Sequence, residues 1–304
     1  MNRVFQTSEC ATAEEFIESI RPEATPFIDS GARDWAFRGQ PANEELLASV
    51  FRLEKRHLFC RTDELWLGWK NKTQISAEIE VAANFFEASD AAGLLLPDDS
   101  PQLRVRLSQF RREASSVTGG DLLREWPPRD LWSLVALMQH AGVPTRFLDW
   151  SASPYKAAYF AAKCGIERRS DIAVWAYQVS WQEQLEEYDY HHSPNRVVMV
   201  RAPYATNPTL AAQEGLHLFH QDTSADLAGP ACRQPLTKTL LDLGVPQWLR
   251  KHTLPADQSQ RLLWLLSKHG VTAATMFPSF EGVAKSLREA DLWDFRIPTI
   301  PKLL

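Results

Sequence analysis

The sequence predicts an α+β fold: a small mixed or split β-sheet core, helices packed outside it, and a helical insertion. Three observations lead there. Alternating or aromatic-rich runs near residues 35, 175, 198 and 216 carry the two-residue period of strands. From 43 to about 116 the texture changes: glycine nearly vanishes, and Ala, Glu, Leu, Phe and Arg dominate. No repeat and no low-complexity linker separates the two textures, so a single domain over 1–304 with a helical insertion or lid at 43–127 is expected.

The elements follow in order. Thr12-Ala13-Glu14-Glu15 is a capping-box pattern, and the helix it starts should stop before Pro22. Residues 34–39 alternate and end on Gly39, as a strand does on entering a turn. Ile75, Ile79, Ala82, Ala83 and Phe86 recur at helical spacing, and Leu96-Pro97-Asp98-Asp99 interrupts the helices. A helix over 130–141 ends at Gly142-Val143-Pro144. Ser153-Pro154 joins an N-cap to a proline at the first helical position, and the small residues up to Ala162 suit close packing on a sheet. Residues 171–179 are apolar on both faces, which marks a central strand. Further strands are expected over 196–200, within 213–219 and near Trp248, then helices over 257–268 and 282–290.

Charge and composition narrow the partners. Thirty-three basic against 38 acidic residues give a net charge of −5, which argues against duplex nucleic acid as a partner. Cys10, Cys60, Cys164 and Cys232 are widely spaced, so neither a zinc ribbon, a disulfide scaffold nor a metal site is expected. His191-His192, expected in a loop, and His217 with His220 do not form a metal-ligand pattern either. The first residues contain no apolar signal core and no apolar run approaches about 18 residues, so a cytoplasmic protein without a membrane partner is expected. Phosphate-loop, dinucleotide-fold and nucleophile-elbow signatures are absent from the sequence. Eleven tryptophans imply a densely packed interior; Trp35 and Trp150 lie inside the motifs below.

Three stretches concentrate chemistry-bearing residues. In Trp35-Ala36-Phe37-Arg38-Gly39-Gln40, a strand-end arginine offers a planar fork for phosphate or carboxylate, and Gly39 would permit close ligand approach; a salt-bridged structural arginine is the alternative. Residues 138–154 pack Gln139, His140, Thr145, Arg146, Asp149, Ser151 and Ser153 between a helix end and a helix start. There, His140 and Asp149 can form an oriented His–carboxylate pair, or Arg146 and Asp149 can neutralise each other while His140 caps its helix. In 207–219, Gln213 and Glu214 precede an apolar strand, and in a strand only one of them would face a site.

Together these stretches resemble the FRG-domain family, named for the triplet that stands here as Phe37-Arg38-Gly39. Gln139-His140, Gly142, Pro144-Thr145-Arg146, Leu148-Asp149-Trp150 and Ser153-Pro154 resemble its central motif; Gln213, Gly215 and Phe219 its third; Gly270-Val271, Phe277-Pro278 and Gly282-Val283-Ala284 its closing pattern. The motif order is also similar to that of ADP-ribosyltransferases of the Arg–Ser–Glu type. That likeness implies NAD as substrate, with Arg38, Gly39, Gln40, Thr145, Arg146, Trp150 and Ser151 as nucleotide-binding residues and Glu214, Gln213, Asp149 and His140 as catalytic ones. Ser-Thr-Ser does not occur in the sequence, and Glu-x-Glu does not occur in the third stretch; if Gln213 holds the glutamate position, the carboxylate comes from Glu214 or Asp149. The alternatives are a non-catalytic nucleotide- or partner-recognition module of bacterial stress or phage defence, with the helical insertion as partner surface, and a hydrolase or nuclease built on His140 and Asp149.

Overall fold

The computed structural model describes residues 5–24, 27, 35–116, 120–179, 194–205 and 207–291; His191 and His192 lie outside them. β1 (Gln6–Glu9) leads into α1 (Ala13–Ile20). The capping box is present: Thr12 Oγ1 accepts from Glu15 N at 3.2 Å, and the Glu15 carboxylate accepts from Thr12 N at 3.3 Å. β2 (Trp35–Pro41) carries the first motif.

The glycine-poor stretch folds as α2 (Asp63–Leu67), α3 (Asn71–Ala91) and α4 (Pro101–Ser115), with the break at 96–99 between the last two. Ile75, Ile79, Ala82, Ala83 and Phe86 are all buried, in a core shared with Leu103, Leu107 and Phe110. α5 (Trp132–His140) joins this core through Leu134 and Met138, and Gly142, at φ +85°, ends it.

The chain then returns to the sheet. β3 (Leu148–Ser151) is followed by α6 (Pro154–Arg168), capped by Ser153, and by β4 (Ile172–Gln178), buried at every position as its two apolar faces require. β5 (Asn195–Val200), α7 (Pro208–Ala212), β6 (Gly215–Asp222), α8 (Leu236–Asp242) and β7 (Leu249–Leu254) come next. α9 (Ser259–Lys268), α10 (Ala273–Met276) and α11 (Phe280–Ala290) complete the described chain.

The fold is α+β around one mixed seven-stranded sheet, ordered β1-β7-β4-β2-β3-β6-β5. β1 runs parallel to β7, and the other pairs are antiparallel. One face packs on α1, α6 and α9 through residues such as Phe16, Phe37, Ala158 and Leu262. The other buries Trp150, Trp175, Tyr177, Leu218 and Trp248. The sheet is larger than the sequence suggested by two strands: β1 is mostly exposed, shows no apolar alternation and owes its place to pairing with β7, and the four-residue β3 owes its place to pairing with β6.

One seam in the sheet positions the site. β2 pairs with β4 along its whole length, from Trp35 opposite Gln178 to Pro41 opposite Ile172. With β3 it shares only the pair Phe37 and Ser151. β3 turns instead to β6, where Asp149 lies opposite His217.

Candidate functional site

A cleft of about 390 Å³ lies at that seam, lined among others by Arg38, Gln139, Asp149, Ser151, Gln213 and His217. Strand alternation puts Arg38 on the face of β2 opposite to Gly39, yet its Nη1 reaches across the seam and donates to the Asp149 carbonyl at 2.7 Å. Its Nε donates to Gln40 Oε1 at 3.1 Å. Nη2 has no hydrogen-bond partner among the described residues, leaving one arm of the fork for an anion. Burial pulls the guanidinium's pKa down, and the charge of Asp149 opposes that effect.

Asp149 is the cleft's carboxylate. Its side chain is 56% exposed, although dense protein surrounds it. Gln139 Nε2 donates to Oδ2 at 3.0 Å, and His217 Nδ1 stands 3.2 Å from Oδ1, within ion-pair range but too oblique for a straight hydrogen bond. Burial works to raise its pKa, but His217, Arg38 and Gln139 outweigh it and bring the group down to about 2. The carboxylate is therefore ionised at any physiological pH.

The expected nucleotide-binding residues divide. Gln40 is buried behind Arg38, holding Nε with Oε1 and donating Nε2 to the Glu44 carbonyl at 2.7 Å. Thr145, also buried, donates to Gln139 Oε1 at 2.8 Å, so both act from behind the cleft wall. Gly39 borders the cleft, but its missing side chain admits a helix: a Cβ there would meet the Ala157 carbonyl oxygen at 1.9 Å. Arg146 points away, forming a two-pronged pair with Glu78 of α3 at 2.7 and 3.1 Å, so it does not neutralise Asp149. Trp150 borders the cleft, yet its indole is buried on the far face, 6.1 Å from Tyr177, and does not stand free to stack on a base. Ser151 donates to the Gln213 carbonyl at 2.7 Å and accepts from Ser153 N at 3.0 Å, tying the two motif loops together.

The expected catalytic residues divide too. Gln213 caps α7 and lines the cleft, its Nε2 3.4 Å from the Met276 carbonyl. Glu214 is left out. Both residues precede β6, so strand alternation does not choose between them; a left-handed turn does, with Glu214 at φ +49° and its carboxylate on Lys156 Nζ at 2.7 Å. His140 sits exposed on the cleft rim, and the imidazole at Asp149 belongs to His217. His217 is 2% exposed and stacks on Phe147 at 5.3 Å. In the sequence His217 is conspicuous only beside His220; alternation through β6 puts it on one face with Gly215 and Phe219, but its position opposite Asp149 is a matter of strand pairing.

The arrangement offers a fixed negative charge, an arginine arm and an amide around one opening of about 390 Å³. Among the described residues no group of three His, Cys, Asp or Glu side chains is placed to hold a metal ion. Residues 33–169 match the family model described as FRG domain. No curated protein and no solved structure matches the chain.

Proposed function

The chain is an FRG-domain protein, and from that premise we propose that its cleft binds NAD and transfers or hydrolyses ADP-ribose in the manner of ADP-ribosyltransferases. One observation supports this most: Arg38, Asp149, Ser151 and Gln213, spread over three separate motifs, border one cleft with an ionised carboxylate inside it. Breaking the nicotinamide–ribose bond develops positive charge at the ribose carbon, as glycoside cleavage does. A carboxylate that stays charged stabilises that transition state, and the spare arm of Arg38 holds the pyrophosphate. Asp149 takes the part that the motif order gives to a glutamate, because Glu214 is committed to Lys156.

Calorimetry with NAD and release of labelled nicotinamide test this reading. Arg38→Ala should weaken NAD binding by about tenfold or more, the loss of a charge-assisted hydrogen bond. Asp149→Asn should bind NAD within a few-fold of the parent and lose roughly a hundredfold or more in kcat. Glu214→Gln should keep its turnover. A parent protein that neither binds NAD nor releases nicotinamide removes the proposal.

A second reading, a recognition module that binds without turnover, draws on the same two commitments: Glu214 to Lys156 and the Ser151 hydroxyl to the Gln213 carbonyl. NAD binding without nicotinamide release, together with a stoichiometric protein partner held by the helical segment, would decide for it. A hydrolase or nuclease built on His140 has less support, since the carboxylate it needs is engaged by Gln139 and His217.

A further inference from the structure

We propose that His217 is a positioning residue of this cleft: as the Nδ1–H tautomer it holds one oxygen of Asp149 from behind, while Gln139 holds the other. The inference rests on the reading of Asp149 as the carboxylate that faces the ligand.

The backbone sets the pair. Asp149 and His217 are register partners on β3 and β6, so their side chains leave the sheet on the same face. Phe147, stacked on the imidazole at 5.3 Å with 28° between the rings, fixes its plane, and burial to 2% exposure leaves the ring little room to turn. A bare nitrogen lone pair 3.2 Å from an ionised oxygen would be repelled, so Nδ1 carries the hydrogen. Neither ring nitrogen makes a straight hydrogen bond among the described residues, so the hold of Nδ1–H on Oδ1 is electrostatic at 3.2 Å, and Nε2 is the bare nitrogen of the proposed tautomer.

The other oxygen is held by a relay whose polarity is determined. Thr145 Oγ1 accepts from Phe147 N at 3.1 Å, which directs its own hydrogen to Gln139 Oε1 at 2.8 Å. Ser49 Oγ approaches the same Oε1 at 3.3 Å and accepts from Thr145 N at 3.0 Å. With Oε1 occupied as an acceptor, the amide can present only Nε2 to Asp149 Oδ2, and it does so at 3.0 Å. Both oxygens are thus held from behind, and the exposed part of the carboxylate faces the cleft. The other titratable groups bordering the cleft are Arg38 from β2, His140 from α5 and Cys164 from α6. Arg38 favours the ionised carboxylate, as His217 does, and burial opposes both.

Two measurements on the full chain test this without relying on turnover. Imidazole ¹⁵N–¹H spectra report the tautomer, and the side-chain ¹³C signal of Asp149 reports its titration. The parent should show Nδ1–H on His217. In His217→Phe, which keeps the stack on Phe147 but has no donor, the Asp149 titration should move up by about one pH unit or more. His217→Asn, which returns an N–H to the same place, should bring most of it back. If nicotinamide release is observed, its acid limb should move with the Asp149 titration, and kcat should fall about tenfold to a hundredfold in His217→Phe with KM little changed. An Nε2–H tautomer in the parent overturns the proposal, as does an unmoved Asp149 titration in folded His217→Phe or a failure of Asn to restore it. Should His217→Phe not fold, Thr145→Val decides through the relay: Asp149 should titrate higher there while His217 keeps its tautomer, and an unchanged titration counts against the proposal. A parent inert towards NAD would remove the proposed function and leave these two readouts intact.

Discussion

A Cβ on Gly39 would stand 1.9 Å from the Ala157 carbonyl oxygen and 2.7 Å from the Ala161 nitrogen, both backbone atoms of α6. Neither can yield without moving the helix off β2, so Gly39→Ala should lower stability by about 2–3 kcal/mol, read from the urea midpoint. The cleft loses its wall in the same step, since α6 supplies it. The triplet Phe37-Arg38-Gly39 thus combines a core ring, an arginine that reaches across the seam and a close-packing position. Residue types alone revealed part of this. Arg38, Asp149 and Ser151, with Gln213 or Glu214, were legible as a set through the motif order that the family resemblance implies. The direction of each side chain was not: Arg146 and Asp149 are three positions apart, yet one meets α3 and the other the cleft. Glu214 turns away because of a single left-handed φ, and no period in the sequence encodes that angle.

Among the elements, the helical segment was legible through its 3.6-residue apolar stripe, and its breaks fall where proline and the capping residues place them. How it joins the sheet domain was not legible, because the joint is polar. Glu78, buried on α3, accepts from Arg146 twice, from Trp126 Nε1 at 3.1 Å and from Gln74 Nε2 at 2.9 Å. Arg146 lies three residues before Asp149, so this joint bears directly on the loop that enters β3. Glu78→Ala would leave the part-buried Arg146 charge, 15% exposed, without its counter-ion and should cost about 3 kcal/mol in denaturant unfolding. Replacing both partners with apolar residues should cost less, and the difference between single and double variants measures the coupling. β1 and β3 are four residues each, too short for periodicity to stand out; the sheet recruits them through pairing with β7 and β6.

For the whole molecule, acid is the expected weakness. Burial, aided by the charge of Arg250, pulls His252 from 6.5 down to about 4. Burial likewise takes His220 to about 4, against the pull of Asp222. In the unfolded chain both take up protons near 6.5; in the folded chain they resist until about 4. The unfolded state therefore binds more protons across that window, and stability must fall as the pH drops through it. For His252 the slope is about 1.4 kcal/mol per pH unit at its steepest, and His220 adds in the same direction. Urea midpoints measured from pH 7 to pH 4 should decline accordingly, and His252→Asn should flatten the decline. Below pH 4, protonation of Asp149 removes a further contribution, because its folded pKa of about 2 lies below the unfolded one. Among the described residues no helix is long and apolar enough to cross a membrane.

The single pair Phe37–Ser151 has a mechanical meaning. The ladder from β1 to β2 and the ladder from β3 to β5 are each stitched along their lengths, but they meet on one rung. Arg38 belongs to the first half; Asp149 and His217 belong to the second. The protein is in this sense two half-sheets sharing a spine one residue wide, clasped by the Arg38–Asp149 bond. A ligand spanning those residues would work as a second clasp, so occupancy of the cleft and stiffness of the sheet become the same physical event.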